Sequence, residues 1–141
     1  MTTLYLPQSA RRELESMVHA DYPLETCGLL VGQQSNDHIR VSGVVQAQNL
    51  NKERAHDRYE LAPQDFIAAD TEAQKAGLEI VGVWHSHPDH AARPSEVDRE
   101  SAWEGWSYLI LAVKHDGVHD MRSWRLVSGH FVEESIEPCP Q

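Results

Sequence analysis

Cysteine is scarce in this chain, which has only Cys27 and Cys139 among its 141 residues. Two such distant cysteines do not make the dense disulfide framework that stabilises small secreted domains, so a reducing compartment is expected. No stretch approaches the roughly 18 apolar residues of a membrane-spanning helix, and the first residues lack the basic and apolar regions of an export signal. These absences predict a cytoplasmic protein that is not anchored in a membrane.

Positive charge is also in short supply. The chain has 12 lysines and arginines against 22 aspartates and glutamates, which gives a net charge of -10. A surface of this sign repels the phosphate backbone, so nucleic acid is not an expected partner. The length, with 40% hydrophobic and 24% charged residues, is typical of one globular domain. We therefore expect a single domain over residues 1–141, with a loose tail at 137–141.

Hydrophobic periodicity predicts alternating helices and strands. A first helix runs from Ser9, as its cap, to about Ala20, and a second begins at Pro63 and ends at Gly77. The segment from Pro94 to Asp98 opens a third, short helix, with Ser95 as its cap. The predicted strands cover residues 26–32, 38–50, 58–61, 78–84, 108–113, 118–126 and 130–136.

Two histidines follow the predicted strand 78–84, in the run His85-Ser86-His87-Pro88. Side chains two residues apart leave the same face of an extended strand, so His85 and His87 can bind one metal ion. Asp98, eleven residues after His87, is the expected third ligand. Two imidazoles and one carboxylate form a catalytic zinc set that leaves one position open to water. The sequence thus predicts one zinc ion per chain.

A hydrolytic zinc site also needs a base and a donor for the developing oxyanion. Glu25 is the candidate base and Ser95 the candidate donor. These two residues and Asp98 also have ordinary structural interpretations. Glu25 can be a solvated residue before a strand, Ser95 a helix cap and Asp98 an acidic residue in the first turn of a helix. Cys27 is expected to be a small buried apolar residue.

Together, Glu25, His85-Ser86-His87-Pro88, Ser95 and Asp98 resemble the JAMM (MPN+) metallopeptidase motif in residue type and spacing. The segment from Pro23 to Leu30 is similar to the Glu-x-Cys-Gly opening of small prokaryotic members. The resemblance implies an α/β fold, with a mixed β-sheet flanked by helices in a three-layer sandwich like that of cytidine deaminases. It implies the same roles for the five residues: two histidine ligands, an aspartate ligand, a glutamate base and a serine donor.

The resemblance also implies a substrate class. Small stand-alone bacterial members resemble enzymes that remove cysteine or another adduct from the C-terminal Gly-Gly of a ubiquitin-like sulfur-carrier protein. We therefore expect a peptidase or isopeptidase acting on such a carrier. Eukaryotic members carry insertions that help to grip ubiquitin, and no long insertion follows the Glu25 strand or the Asp98 helix here. A strong preference for polyubiquitin is not expected.

Two other functions remain open on the sequence alone. One is a non-catalytic scaffold, as in relatives that have lost the motif. The other is a DNA-associated protein resembling the RadC family, which shares the pattern but usually has Asn where this chain has Ser86. A deaminase is disfavoured because no Pro-Cys-x-x-Cys follows the histidines.

Trp103 and Trp106 either wall the site or close the core. The remaining histidines are expected at the surface; they are His19, His38, His56, His90, His115, His119 and His130.

Overall fold

The computed structural model describes residues 2–55 and 58–139, and these form seven strands and three helices. In chain order the elements are β1 (Thr3–Tyr5), α1 (Gln8–Asp21), β2 (Cys27–Ser35), β3 (His38–Ala47), α2 (Pro63–Lys75), β4 (Glu79–Pro88), α3 (Glu96–Ser101), β5 (Ser107–Lys114), β6 (Gly117–Val127) and β7 (His130–Glu137). Within the described ranges, each helix is too short or too polar to cross a membrane.

The strands form one mixed sheet in the order β1-β3-β2-β4-β5-β6-β7. The pairs that include β1 and the pair β4-β5 are parallel, and the other pairs are antiparallel. The predicted combination of a mixed sheet with helices is therefore correct. The sheet is not the flat middle layer of a sandwich, however, because β1 pairs with both β3 and β7 and closes the sheet into a barrel.

The helices cover different faces of this sheet. Leu14 and Val18 of α1 pack into one apolar cluster with Trp84 of β4. Ala69 and Ala73 of α2 pack into a second cluster. Neighbouring residues of β5 join different clusters, as the alternation of side chains along a strand requires. The central strands β2, β4 and β5 are consequently buried over most of their length.

The first helix begins one residue earlier than predicted, and Ser9 is not its cap. Pro7 occupies the N-cap position without a side-chain capping bond. Its carbonyl accepts a hydrogen bond from the Arg11 N–H at 3.0 Å. A proline before the first turn is compatible with helix initiation because it has no N–H to satisfy there. Ser9 therefore lies inside the first turn.

The predicted strand at 58–61 is wrong, except that Leu61 forms an isolated bridge with Asn49. The Asn49 amide provides the reason. It donates to the Arg58 carbonyl at 3.1 Å and accepts from the Glu60 N–H at 2.8 Å. The backbone also pairs here, with the Leu50 N–H donating to the Glu60 carbonyl at 2.8 Å and the Ala62 N–H to the Gln48 carbonyl at 3.1 Å, but the pairing stays a single bridge. β3 ends at Ala47, short of its predicted end.

The predicted loose tail begins inside the sheet. Glu137 is the last residue of β7 and is in register with Tyr5 of β1. The Leu6 N–H also donates to the Glu137 carbonyl at 2.8 Å. Pro140 and Gln141, at the end of that predicted tail, lie outside the described residues.

Candidate metal centre

The antiparallel pairing of β2 with β4 brings the N-terminal part of the site to the histidines. The Ser86 N–H donates to the Thr26 carbonyl at 3.0 Å. In return, the Thr26 N–H donates to Ser86 Oγ at 2.9 Å, across 60 positions of sequence. Glu25 directly precedes Thr26, and His87 directly follows Ser86, so the two residues lie side by side. The pairing therefore supplies the proximity for Glu25 that its sequence position does not reveal.

The predicted ligands converge on one point. His85 Nε2 and His87 Nε2 lie 3.1 Å apart. The Asp98 carboxylate places Oδ2 3.1 Å from His87 Nε2 and Oδ1 3.4 Å from His85 Nε2. Ligand atoms of Glu25, His85 and His87 also lie within 4.8 Å of one another. All four side chains predicted for the metal and the base thus face the same small volume.

The donor chemistry of this cluster fits a divalent cation. His87 Nδ1 lies 2.8 Å from the Ala91 carbonyl oxygen. A carbonyl only accepts, so Nδ1 of the neutral ring carries the hydrogen and Nε2 presents a lone pair toward Asp98. Outer carbonyls of this kind commonly orient metal-bound histidines. Two imidazole nitrogens and a carboxylate suit zinc among the common metals.

Burial and contact within the cluster set the protonation of its members. Burial lowers the pKa of His85, against the opposing effect of Asp98. Burial acts to raise the pKa of Asp98, but contacts with His85 and His87 outweigh it and hold the pKa far below its usual range. Burial also acts to lower the pKa of His87, but Asp98 and the Ala91 carbonyl outweigh it and raise that pKa. Asp98 is therefore a carboxylate at neutral pH.

Ser95 and Asp98 form the capping box that opens α3. Ser95 Oγ accepts from the Asp98 N–H at 3.0 Å, and the Ser95 N–H donates to Asp98 Oδ2 at 2.8 Å. The candidate ligand Asp98 is thus itself part of the helix cap. Its hydrogen bond from the Ser95 N–H holds the carboxylate toward His87. A hydroxyl that accepts one hydrogen bond still has its hydrogen to donate. The structural and catalytic roles of Ser95 are compatible.

The loop 49–61 adds a contact that sequence reasoning missed. The Tyr59 ring stacks on His85, with the centroids 4.4 Å apart and the planes at 26°. The same loop holds the backbone of Glu25: Asn49 Nδ2 donates to the Glu25 carbonyl at 3.3 Å, and the Glu25 N–H donates to the Ala55 carbonyl. No periodicity or motif in this loop signals either role.

Two cavities flank the cluster. One, of about 420 Å³, is lined by Glu25, Arg58, His87, His90, Ala91, Arg93, Ser95 and Val97. The other, of about 430 Å³, lies next to Asp98 and is walled by aromatic side chains. Trp103 and Trp106 belong to this wall, although Trp106 also packs on Phe66 beside the core, at 5.7 Å between ring centroids. Trp106 therefore both walls the cavity and closes the core, whereas Trp103, at 71% exposed, only walls the cavity.

Cys27 and the other described histidines are not part of the ligand cluster, although His90 lines the cavity beside it. Cys27 is fully buried, and burial raises the pKa of its thiol to about 12. It is the small apolar residue that was expected. His56 lies outside the described residues, and the other six histidines expected at the surface are exposed; they are His19, His38, His90, His115, His119 and His130.

Comparison with known proteins agrees with this geometry. The family model for prokaryotic homologs of the JAB domain matches residues 7–127. A desampylase of Haloferax volcanii is 35% identical over 105 residues, which cover 74% of this chain and 72% of the relative. A CysO-cysteine peptidase of Mycobacterium tuberculosis is 29% identical over 126 residues, covering 86% of this chain and 81% of the relative.

Comparison with solved structures gives the same result. The solution structure of a protein from Desulfitobacterium hafniense has a TM-score of 0.85 and is 26% identical, covering all of this chain and 94% of the relative. The match in sequence covers most of the elements described above, and the match in structure covers all of them. The chain belongs to the prokaryotic JAB family and is a metallopeptidase of the JAMM type.

Proposed function

We propose that this metallopeptidase hydrolyses the amide bond after the C-terminal Gly-Gly of a ubiquitin-like or sulfur-carrier protein, with one zinc ion held by His85, His87 and Asp98. The observation that carries the proposal is the convergence of these three side chains, with His87 Nε2 3.1 Å from both His85 Nε2 and the Asp98 carboxylate. Glu25 beside them adds a group that can exchange protons with substrate.

Zinc, when bound, supplies a Lewis acid that polarises a carbonyl and brings the pKa of water toward neutrality. The protein supplies the proton transfers. Glu25 accepts one proton from the attacking water and delivers it to the leaving nitrogen as the carbon–nitrogen bond breaks. The water oxygen stays with the carrier as the new glycine carboxylate, and the other product leaves as an amine. The Ser95 hydroxyl donates a hydrogen bond to the carbonyl oxygen as negative charge develops there.

The substrate class rests on the relatives. One of the two relatives described above is named for cleaving a CysO–cysteine conjugate, and the other is named a desampylase. The match extends over more than two thirds of each. This chain also lacks long insertions near Glu25 and Asp98, which favours a small carrier over polyubiquitin. The scarcity of cysteine is consistent with action in the cytoplasm.

The convergence also bears on the alternatives. A scaffold that had lost catalysis would have no need to keep two buried histidines and a buried glutamate against a carboxylate. For a DNA-associated role, the net charge of -10 opposes binding to phosphate. The peptidase therefore remains the function that the site supports best.

A mass measurement tests the proposal. A sulfur-carrier protein ending in Gly-Gly and extended by one residue is incubated with the zinc-loaded chain, and its intact mass is followed. We expect loss of the added residue, inhibition by a chelator and recovery with zinc. Glu25→Gln is expected to slow cleavage by about 100-fold or more, because general acid–base catalysis contributes at least that much.

Glu13→Gln is the matched control, since it makes the same change at an exposed position of α1. It should cleave like the wild type. Cleavage that continues in excess chelator, or that survives Glu25→Gln unchanged, would contradict the proposal.

A further inference from the structure

Two arginines line the cavity that Glu25 and His87 share beside the metal cluster. Arg58 and Arg93 both contribute to its wall, together with His90. This is a local excess of cationic side chains in a protein with 22 acidic and 12 basic residues. The cavity, at about 420 Å³, is within the size range of sites for small ligands. The two guanidinium groups outnumber the one carboxylate of this lining, Glu25, so the cavity favours an anionic group of the substrate.

Neither guanidinium is paired with a carboxylate in the part of the chain that the structure describes. Four other arginines do form such ion pairs, at distances of 4.0 Å or less; they are Arg11, Arg99, Arg122 and Arg125. The Asp120 carboxyl has its pKa lowered chiefly by Arg122, and Arg93 adds only a more distant electrostatic effect. Arg58 and Arg93 thus retain their hydrogen-bond donors for an incoming group.

The position of Glu25 indicates which end of the substrate enters this cavity. Glu25 delivers a proton to the leaving nitrogen, so that nitrogen must lie beside the Glu25 carboxyl. Glu25 lines the arginine cavity and does not line the aromatic cavity next to Asp98. Arg93 lines only the cavity that Glu25 lines, and Arg58 lies between the two cavities and lines both. The leaving group therefore occupies the cavity of Glu25 and Arg93, with Arg58 at its border, and the carrier tail is left with the aromatic side.

We propose that the leaving group is a free amino acid whose α-carboxylate is bound by Arg58 and Arg93. This inference rests on the proposed function and specifies its leaving group. In an α-amino acid the carboxylate is separated from the amine by one carbon atom. Once the nitrogen lies beside Glu25, the carboxylate stays within the same cavity. The planar guanidinium matches a carboxylate with two parallel hydrogen bonds.

The alternative leaving group is the side chain of a lysine in a protein. Its nitrogen is followed by four methylene groups and no carboxylate, so it would leave both guanidinium groups without a partner. In the reaction proposed, water adds across the bond between the terminal glycine and the amino acid. The glycine carbonyl gains the water oxygen, one water proton passes through Glu25 to the nitrogen, and the amino acid leaves with its carboxylate unchanged.

Paired substrates test this inference. A sulfur-carrier protein is extended after its Gly-Gly by one alanine, either with a free carboxylate or as the carboxamide. We expect the wild type to prefer the free carboxylate by about tenfold in kcat/KM, since hydrogen bonds between charged groups are worth that much. In the double variant Arg58→Met and Arg93→Met the ratio should fall close to one. Because each ratio is measured within one protein, a loss of folded material does not affect it.

Arg12→Met is the control, because Arg12 is exposed on α1, and it should keep the wild-type ratio. Binding gives a second measurement that does not depend on turnover. Glu25→Gln is titrated with both substrates, and the dissociation constants should differ in the same direction. Equal cleavage and equal binding of the two substrates would overturn this inference and leave the proposed function intact. If neither is cleaved by the zinc-loaded wild type, the proposed function fails, and the binding ratio alone decides the carboxylate site.

Discussion

At the scale of single residues, the two histidines of the cluster are supported in different ways. His87 has the Ala91 carbonyl behind it at 2.8 Å, which fixes the ring and its tautomer. His85 Nδ1 is buried without a hydrogen-bond partner in the described chain. Its ring is oriented by stacking with Tyr59 at 4.4 Å. Tyr59 is therefore a positioning residue for His85.

This difference predicts the behaviour of Tyr59 variants. Tyr59→Phe keeps the stacked ring and should keep zinc affinity. Tyr59→Ala removes the stack, and because an aromatic pair contributes about 0.5–1.5 kcal/mol, zinc affinity should fall by roughly 2- to 13-fold. Competition with a chromophoric chelator measures both affinities. An equal loss in the two variants would instead implicate the hydroxyl, and no loss in Tyr59→Ala would remove the positioning role.

The sequence contains the signal for some site residues and not for others. His85 and His87 could be paired from the two-residue period of a strand, and Asp98 from its place at a helix start. The distance from Glu25 to the histidines depends on the pairing of β2 with β4, which local sequence does not specify. Tyr59 lies in a loop held by the Asn49 side chain, and this loop has no hydrophobic periodicity from which the position of Tyr59 could be predicted.

At the scale of elements, β2 and β4 approach closely at Gly28. A Cβ added there would overlap the Val45 carbonyl oxygen and the Trp84 indole. Trp84 donates from Nε1 to the same Val45 carbonyl at 3.2 Å, and it directly precedes His85. Because Gly28 has no side chain, β2 can approach Val45 of β3 and Trp84 of β4 closely beside the metal cluster.

Gly28→Ala should destabilise the protein for this reason. Extra atoms in a packed interior cost about 1–3 kcal/mol, which urea unfolding of the chelator-treated protein measures. Gly43→Ala is the matched control, since a Cβ at Gly43 of β3 meets no described atom within 4 Å. Its stability should stay near that of the wild type. Equal unfolding midpoints for the two variants would disprove the close approach.

Elements marked by an apolar pattern or a cap were predictable, including the six-residue α3 with its cap Ser95, and elements without such a mark were not. The strands β5, β6 and β7 lie within one residue at each end of their predicted positions, because their apolar patterns are bounded by turn residues. β1 has only three residues, too few for a period, and it went unpredicted. The strand expected at 58–61 is reduced to one bridge at Leu61, and the Asn49 side chain bonds the Arg58 carbonyl and the Glu60 N–H instead.

At the scale of the whole molecule, the closed sheet places the cluster on its most buried strand. β4 lies between β2 and β5, and α1 and α2 pack on its two faces. Closure depends on β1, which pairs with strands far apart in sequence, so it could not be inferred from local patterns. A site supported in this way holds its ligands in position before the metal arrives, which favours tight and specific binding.

Asp98 and Glu25 both place a carboxylate beside the histidines, and we propose that Asp98 is the ligand and Glu25 the base. Zinc content per chain, measured after equilibration with a competing chelator, separates the two roles. Asp98→Asn keeps the oxygen that accepts the Ser95 N–H but removes the ligand charge. It should lose zinc affinity by more than the roughly 10- to 100-fold typical of outer-shell changes, while Glu25→Gln retains one zinc per chain. Zinc kept by Asp98→Asn and lost by Glu25→Gln would contradict the account.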